Sequence, residues 1–240
     1  MKSVINFFVI LLISFAGADR MNFGSNITDS FNITPFILIA IFCLFLILIF
    51  EIDKLDFSWL TSNQFGISFF VYLLIAALGI FFSLDILMSS KRMFLILFIV
   101  SVFIILLSYF DKKELINITF KSSVLGSFLF MIFNIFLLLN WLEIISLNIN
   151  FINFNPDTIA YFVPRLGGFC SDANRSGFII TFFTFFLIIS HKRSKTINLL
   201  IIINIMMIIL TLSRTTYILL ISTIFTYLFL QSDYKNLKRL

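Results

Sequence analysis

Charge is what this chain lacks. Only 12% of its 240 residues are Asp, Glu, Lys or Arg, against roughly 25% in a soluble domain, too few to coat a surface with ionised groups. That scarcity excludes a cytosolic globular enzyme, a nucleic-acid-binding domain and a disordered regulator. Histidine and cysteine are nearly missing too, at one and two residues. Cys43 lies in an apolar run and Cys170 in a polar connection, at different depths, which argues against a bridge. With His191 in the basic, solvated cluster His191–Lys195, none of the three has metal-ligand spacing. No metal and no other cofactor is expected.

What is present is hydrocarbon. The chain is 60% hydrophobic, with 35 Phe and a mean hydropathy of +1.10. Its solvent must be largely lipid, and in lipid only helices or closed barrels satisfy their backbone groups. Apolar runs fall at Val4–Phe15, Pro35–Phe50, Phe65–Leu84, Met93–Phe110, Val124–Ile145, Phe178–Ser190, Ile197–Leu212 and Thr215–Leu230. The expectation is an all-α polytopic transmembrane bundle of about eight spans, one domain over residues 1–240. Residues 197–230 as one helix would be about 50 Å long, beyond a ~30 Å hydrocarbon core, so they must fold back at Ser213-Arg214. The first run has a second reading as a signal peptide, with Lys2 ahead and Ala16-Gly17-Ala18 as a small-residue cleavage site. Cleavage there would leave seven spans.

Cations set the sidedness. With the N-terminus inside, the inner segments hold Lys2, Lys54, Lys112, Lys113, Lys121, Lys192, Arg193, Lys195, Lys235, Lys238 and Arg239, and the outer ones Arg20, Lys91, Arg92, Arg165, Arg175 and Arg214. The excess belongs on the cytoplasmic side, so both termini are expected there. The inner cations are nearly all Lys, whereas the outer ones are nearly all Arg. Arginine offers a rigid fork of donors suited to phosphate oxygens, where lysine is a point charge. An outer face lined by Arg points to a phosphate-bearing ligand; the plainer reading is pairing with Asp19, Asp85 and Asp172.

The outer connection Ser146–Ser176 concentrates the rare residues. It carries Pro156, Pro164, Gly167 and Gly168, with Gly177 just beyond, a backbone of special turns. Asn148, Asn150, Asn153 and Asn155 among Phe and Ile suit a segment on the membrane interface, anchored by Tyr161 and Phe162. The stretch from Arg165 to Gly177 then leads into the sixth span, where helix N-terminal donors favour an anion. Asp172 and Asn174 have an equally good reading as caps. A second feature, Ser213-Arg214, sits in the turn between the last two spans, where an arginine needs water, headgroups or a partner.

At these residues the chain resembles the O-antigen polymerase and O-antigen ligase superfamily of bacterial inner-membrane glycosyltransferases. The shared pattern is Arg165-Leu-Gly167-Gly-Phe169-Cys-Ser-Asp172-Ala-Asn174 before a span, then Leu212-Ser213-Arg214-Thr215 about forty residues on. Asp19-Arg20 through Gly24, and Asp85 with Ser89-Ser90-Lys91-Arg92, also look like that family. The resemblance implies transfer of a glycan from undecaprenyl diphosphate to an acceptor hydroxyl on the periplasmic side, in surface-polysaccharide biosynthesis, by a multi-pass inner-membrane protein. It implies Arg165 and Arg214 as the groups that hold the diphosphate. Gly167, Asp172, Asn174, Arg175 and Ser213 become the surrounding binding residues, Arg175 by position more than by motif. Implied partners are the undecaprenyl-diphosphate-linked glycan, membrane lipid and other polysaccharide-assembly proteins.

Two departures stand out. Ala173 replaces the usual proline, and relatives continue into further spans and a large later loop bearing a functional His, so this chain is expected to be the N-terminal part of such a protein. Two other readings stay open. A transporter or flippase for a lipid-linked or anionic solute would use polar residues within spans, here Asn134, Asn140 and Asn204. An inactive remnant would need none of them.

Overall fold

A computed structural model describes residues 1–23, 33–62, 83, 85–147, 149–159, 163–190 and 194–237, with scattered positions between 68 and 79. The chain is overwhelmingly helical: α1 (Lys2–Ser14), α2 (Pro35–Phe50), α3 (Ser58–Ser62), α4 (Ile86–Tyr109), α5 (Lys112–Trp141), α6 (Ala173–Ile189), α7 (Lys195–Leu210) and α8 (Arg214–Leu237). Two stretches, Ser89–Tyr109 and Lys112–Trp141, are long and apolar enough to cross a membrane, and five shorter apolar helices accompany them among the described residues. The third expected run, Phe65–Leu84, falls mostly outside those residues, as do Gly24, Asn148, Tyr161, Phe162, His191, Lys192, Arg193, Lys238 and Arg239.

Local chemistry sets the helix ends. Pro35 opens α2 at the one position where a missing N–H costs nothing. Asp172 caps α6 by accepting the Asn174 amide at 2.7 Å, and Ser194 caps α7 by accepting that of Ile197 at 3.2 Å. Helix α5 starts a dozen residues before the apolar run that betrays it. Residues 112–123 contain neither Pro nor Gly, and Glu114 in the first turn suits the positive helix end. The helix stops at Trp141, four residues short of the expected Ile145. There Asn140 closes the turn, accepting from the Leu147 amide at 3.2 Å and donating to the Phe154 carbonyl at 3.3 Å.

The chain divides into two compact units, one of Met1 with residues 40–116 and one of residues 2–39 with 117–240. In the first, the segment after α2 docks on the end of α4. The Asp56 amide donates to the Ser108 carbonyl, and Trp59 Nε1 to Ser108 Oγ, both at 3.0 Å. Glu51 and Lys54 pair across the intervening 3₁₀ turn, Ile52–Lys54.

The second unit packs around a hydrophobic core that includes Phe130, Phe169, Phe183 and Ile208, with a seam of polar side chains buried in it and apolar side chains outside. Ser122, Ser123 and Ser127 on α5 and Thr181 and Thr184 on α6 are buried, each bonding the carbonyl four residues back in its own helix, which satisfies hydroxyls in an apolar bundle. Ser14 adds a bond from α1 to the Ser122 carbonyl at 3.1 Å, and Asn204 of α7 donates to Ser127 Oγ at 2.9 Å. Leu199, Ile202 and Met206 on α7 and Ile218, Ile221 and Phe225 on α8 are exposed instead.

The expected fold-back of residues 197–230 is present. Helix α7 ends at Leu210, and α8 starts at Arg214 after a turn in which Leu212 takes a φ of 52°. One departure from an all-helical chain is a two-stranded antiparallel ribbon in the long connection, β1 (Asp157–Ile159) against β2 (Val163–Arg165), pairing Asp157 with Arg165 and Thr158 with Pro164. A proline is tolerated there because the ribbon has only edge strands.

Candidate functional site

The ribbon ends in a loop that is driven into the second unit. Phe169 is fully buried against Phe130, with ring centres 5.2 Å apart, and against Phe133 and Phe15. Gly168 has a φ of +56°, and a Cβ there would lie 2.8 Å from the Phe130 ring, so both backbone and space require glycine. Its amide donates to Asn134 Oδ1 of α5 at 2.7 Å. Asn134, one of the polar residues within spans, is thereby the anchor of the loop.

Arg165 is tied to the turn that carries Arg214. Its Nε donates to the Thr211 carbonyl at 3.0 Å and its Nη2 to Asn174 Oδ1 at 3.3 Å. The same Asn174 oxygen accepts from Ser213 Oγ at 2.7 Å, and the Leu166 amide donates to the Leu210 carbonyl at 3.1 Å. Five of the seven residues expected at the site, Arg165, Gly167, Asn174, Ser213 and Arg214, therefore gather at one end of α6, α7 and α8. Arg214 is exposed and is the first residue of α8, and among the described residues its guanidinium has no partner.

The other two lie alongside with different attachments. Asp172 is the cap of α6. Arg175 turns to Asp19, with Nη1 2.7 Å from Oδ2, which is the plainer pairing that the sequence allows. Asp19 also accepts from the Ser171 amide at 2.5 Å and from Ser171 Oγ at 2.7 Å. Arg20 is buried and structural. Its Nε donates to the Cys170 carbonyl at 2.8 Å and its Nη1 to the carbonyls of Asn155, at 2.5 Å, and Asn153, at 3.5 Å. Lys91, Arg92 and Asp85 belong to the other unit. Thr211 and Asn134 lie outside the resembling patterns, and Ser171 sits within one as a position with no implied role. Only the isolation of Asn134 in an apolar run signals it.

Helix geometry makes this end electropositive. Helices α6 and α8 both begin here and run side by side, because Gly177 packs on Thr216 one turn below the two starts, with room for nothing larger than hydrogen. Farther along, Phe178, Phe182, Phe185, Leu219 and Thr226 line a groove of about 240 Å³ between them. Two positive helix ends thus lie together beside the C-terminal end of α7; the capping carboxylate of Asp172 already meets that of α6, while α8 has no acidic residue in its first turn and starts with an arginine, where a cation is electrostatically disfavoured. An anion relieves the start of α8. Cys170 has no part in it, since burial, and next the charge of Asp19, pushes its thiol far above the ordinary range. Among the described residues no cluster of His, Cys, Asp or Glu can hold a metal.

Comparison with protein-family models, with curated proteins and with solved structures finds no match to this chain.

Proposed function

We propose that the second unit is the diphosphate-binding part of an O-antigen polymerase- or ligase-like glycosyltransferase, a multi-pass protein of the bacterial inner membrane acting on its periplasmic face. The observation that carries this reading is the junction Arg165–Asn174–Ser213, which holds Arg165 beside the turn of Arg214 where two helix N-termini meet. Two guanidinium groups and two helix dipoles make a seat for a polyanion, not for a single carboxylate.

The chemistry follows from charge. When an acceptor hydroxyl attacks the sugar carbon, its oxygen bonds to that carbon and its proton passes to solvent, while the bond to the carrier diphosphate breaks and negative charge grows on the departing oxygen. Arg165 and Arg214 stabilise that charge, and they do so more strongly where lipid keeps the local dielectric low. Asn174 orients Arg165, and Thr211 fixes its Nε, so the fork is set before the ligand arrives. Helices α6 and α7 have 17 and 16 residues, about 25 Å at 1.5 Å per residue, short of a ~30 Å hydrocarbon core. Short helices of this kind support a polar loop drawn toward the level where a lipid diphosphate has its charge. The apolar exterior of α7 and α8 supports the membrane setting.

The test is inorganic pyrophosphate titrated into the purified chain in lipid nanodiscs. Arg165→Lys and Arg214→Lys keep the charge and lose the fork, and each is expected to weaken binding about tenfold, roughly 1.4 kcal/mol. Unchanged binding in both variants would defeat the proposal.

A further inference from the structure

Asp19 is held by more donors than a tie between two segments needs. The Ser171 amide reaches Oδ1, while the Ser171 hydroxyl and Arg175 Nη1 both reach Oδ2, all within 2.7 Å. One backbone N–H, one hydroxyl and one guanidinium converging on two oxygens form a donor set of the kind that holds phosphate. The helix does not need this carboxylate as a cap, because Asp172 already fills that role. Nor is Asp19 free to drift. Arg20 fixes the backbone behind it, with its amide on the Phe169 carbonyl at 3.1 Å and its own carbonyl accepting from the Asn153 amide at 3.0 Å. A rigid stem thus presents a carboxylate to a seat at the electropositive end of the unit. The seat faces water, since the Arg175 side chain is 54% exposed and that of Asp19 18%. An incoming anion can reach the donors without opening the fold.

We propose that Asp19 is an internal counter-anion, which fills an oxyanion seat built by Ser171 and Arg175 and yields it to a phosphate group of the ligand. This rests on the reading of the site as a polyanion site and adds a filter to it. A phosphodiester headgroup carries one negative charge, no more than the carboxylate it would have to displace. A diphosphate carries more, and the residue next to Arg175 in the chain, Asn174, is the one that holds Arg165, so a second phosphate has a further cation to draw on. Abundant membrane phospholipid is thereby kept out of the seat while a lipid diphosphate enters.

The experiment compares inorganic pyrophosphate with dimethyl phosphate, a monoanionic phosphodiester, on the full chain in nanodiscs of neutral lipid. Asp19→Asn is expected to tighten pyrophosphate binding about tenfold and dimethyl phosphate binding at least as much. Asp172→Asn makes the same change of net charge at the same turn, and its gain should stay below about threefold. Adding Ser171→Ala to Asp19→Asn removes the hydroxyl donor of the seat and leaves the amide, and should cancel much of the gain. Equal gains from Asp19→Asn and Asp172→Asn, or a gain that survives Ser171→Ala, would overturn the counter-anion role. The polyanion site itself would stand in those cases, provided that Arg165→Lys and Arg214→Lys still weaken pyrophosphate. Absence of pyrophosphate binding in every variant would sink both. Should Asp19→Asn not fold, Asp19→Ser, which also removes the charge, carries the same expectations.

Discussion

Gly177 and Thr216 are packed so closely that a Cβ on the glycine would lie 1.8 Å from Thr216 Oγ1 and 2.6 Å from its Cγ2. This contact lets α6 and α8 start together, and it is why their dipoles add at the candidate site. Gly177→Ala must push the helices apart, at a cost of about 1–3 kcal/mol. Thr216→Ala in the same chain removes two of the three clashing atoms and should return part of that stability. Thermal melting in nanodiscs measures both. An alanine tolerated without loss would mean that the helix starts are not fixed as described.

Asn174 accepts from Arg165 and Ser213 with a single neutral oxygen, so the charge at this position sets how much of Arg165 is available. Asn174→Asp keeps both acceptor bonds and adds a full negative charge beside the guanidinium. Stability should hold or rise, while pyrophosphate affinity falls about tenfold, because the aspartate competes for the same cation. Asn174→Ala should weaken binding too, but by loosening the arginine, and it should also lower the melting temperature. The opposite stability changes separate competition from disorder.

The helical character and the fold-back before Arg214 were legible because each depends on a strong local signal: long apolar runs and a stretch too long for one helix. Other features were not legible. Helix α5 begins at Lys112 because the segment before the apolar run has no Pro or Gly to break the helix, and hydropathy does not record that. The ribbon of residues 157–165 has three-residue strands, too short for any alternation to show. Asp19 and Ser171 meet across 152 positions of sequence, and nothing local encodes that contact. Arg20 looked like the other outer arginines, and only burial distinguishes a strap from a ligand group.

Arg20 makes a prediction of its own. A buried guanidinium that holds the carbonyls of Cys170 and Asn155 leaves them without a donor when it is removed. Arg20→Ala should cost about 2–4 kcal/mol, far more than Arg214→Ala at an exposed position. Cys170 reports the damage directly. In the native chain its thiol is buried and its pKa raised, so maleimide at neutral pH should leave it unlabelled. In Arg20→Ala the loop that carries it loosens and labelling should become rapid. Rapid labelling of the native chain would show that the loop is not seated.

Asn204 tests whether the polar seam inside the second unit is glue or a burden. Its Nδ2 donates to Ser127 Oγ at 2.9 Å, but its fully buried Oδ1 has no partner among the described residues. Ser127 loses little without it, since its own hydroxyl already donates to the Ser123 carbonyl at 2.7 Å. An interhelical bond of this kind is worth about 0.6 kcal/mol on average, and an orphaned buried acceptor costs about 1–3 kcal/mol. The penalty outweighs the bond. Asn204→Leu, of similar size, should therefore leave the melting temperature unchanged or raise it. Asn204→Asp puts a charge in the same apolar surroundings and should lower it sharply. A large loss from leucine would mean that Oδ1 is satisfied by a buried water, and that the seam contributes more to stability than its one visible bond implies.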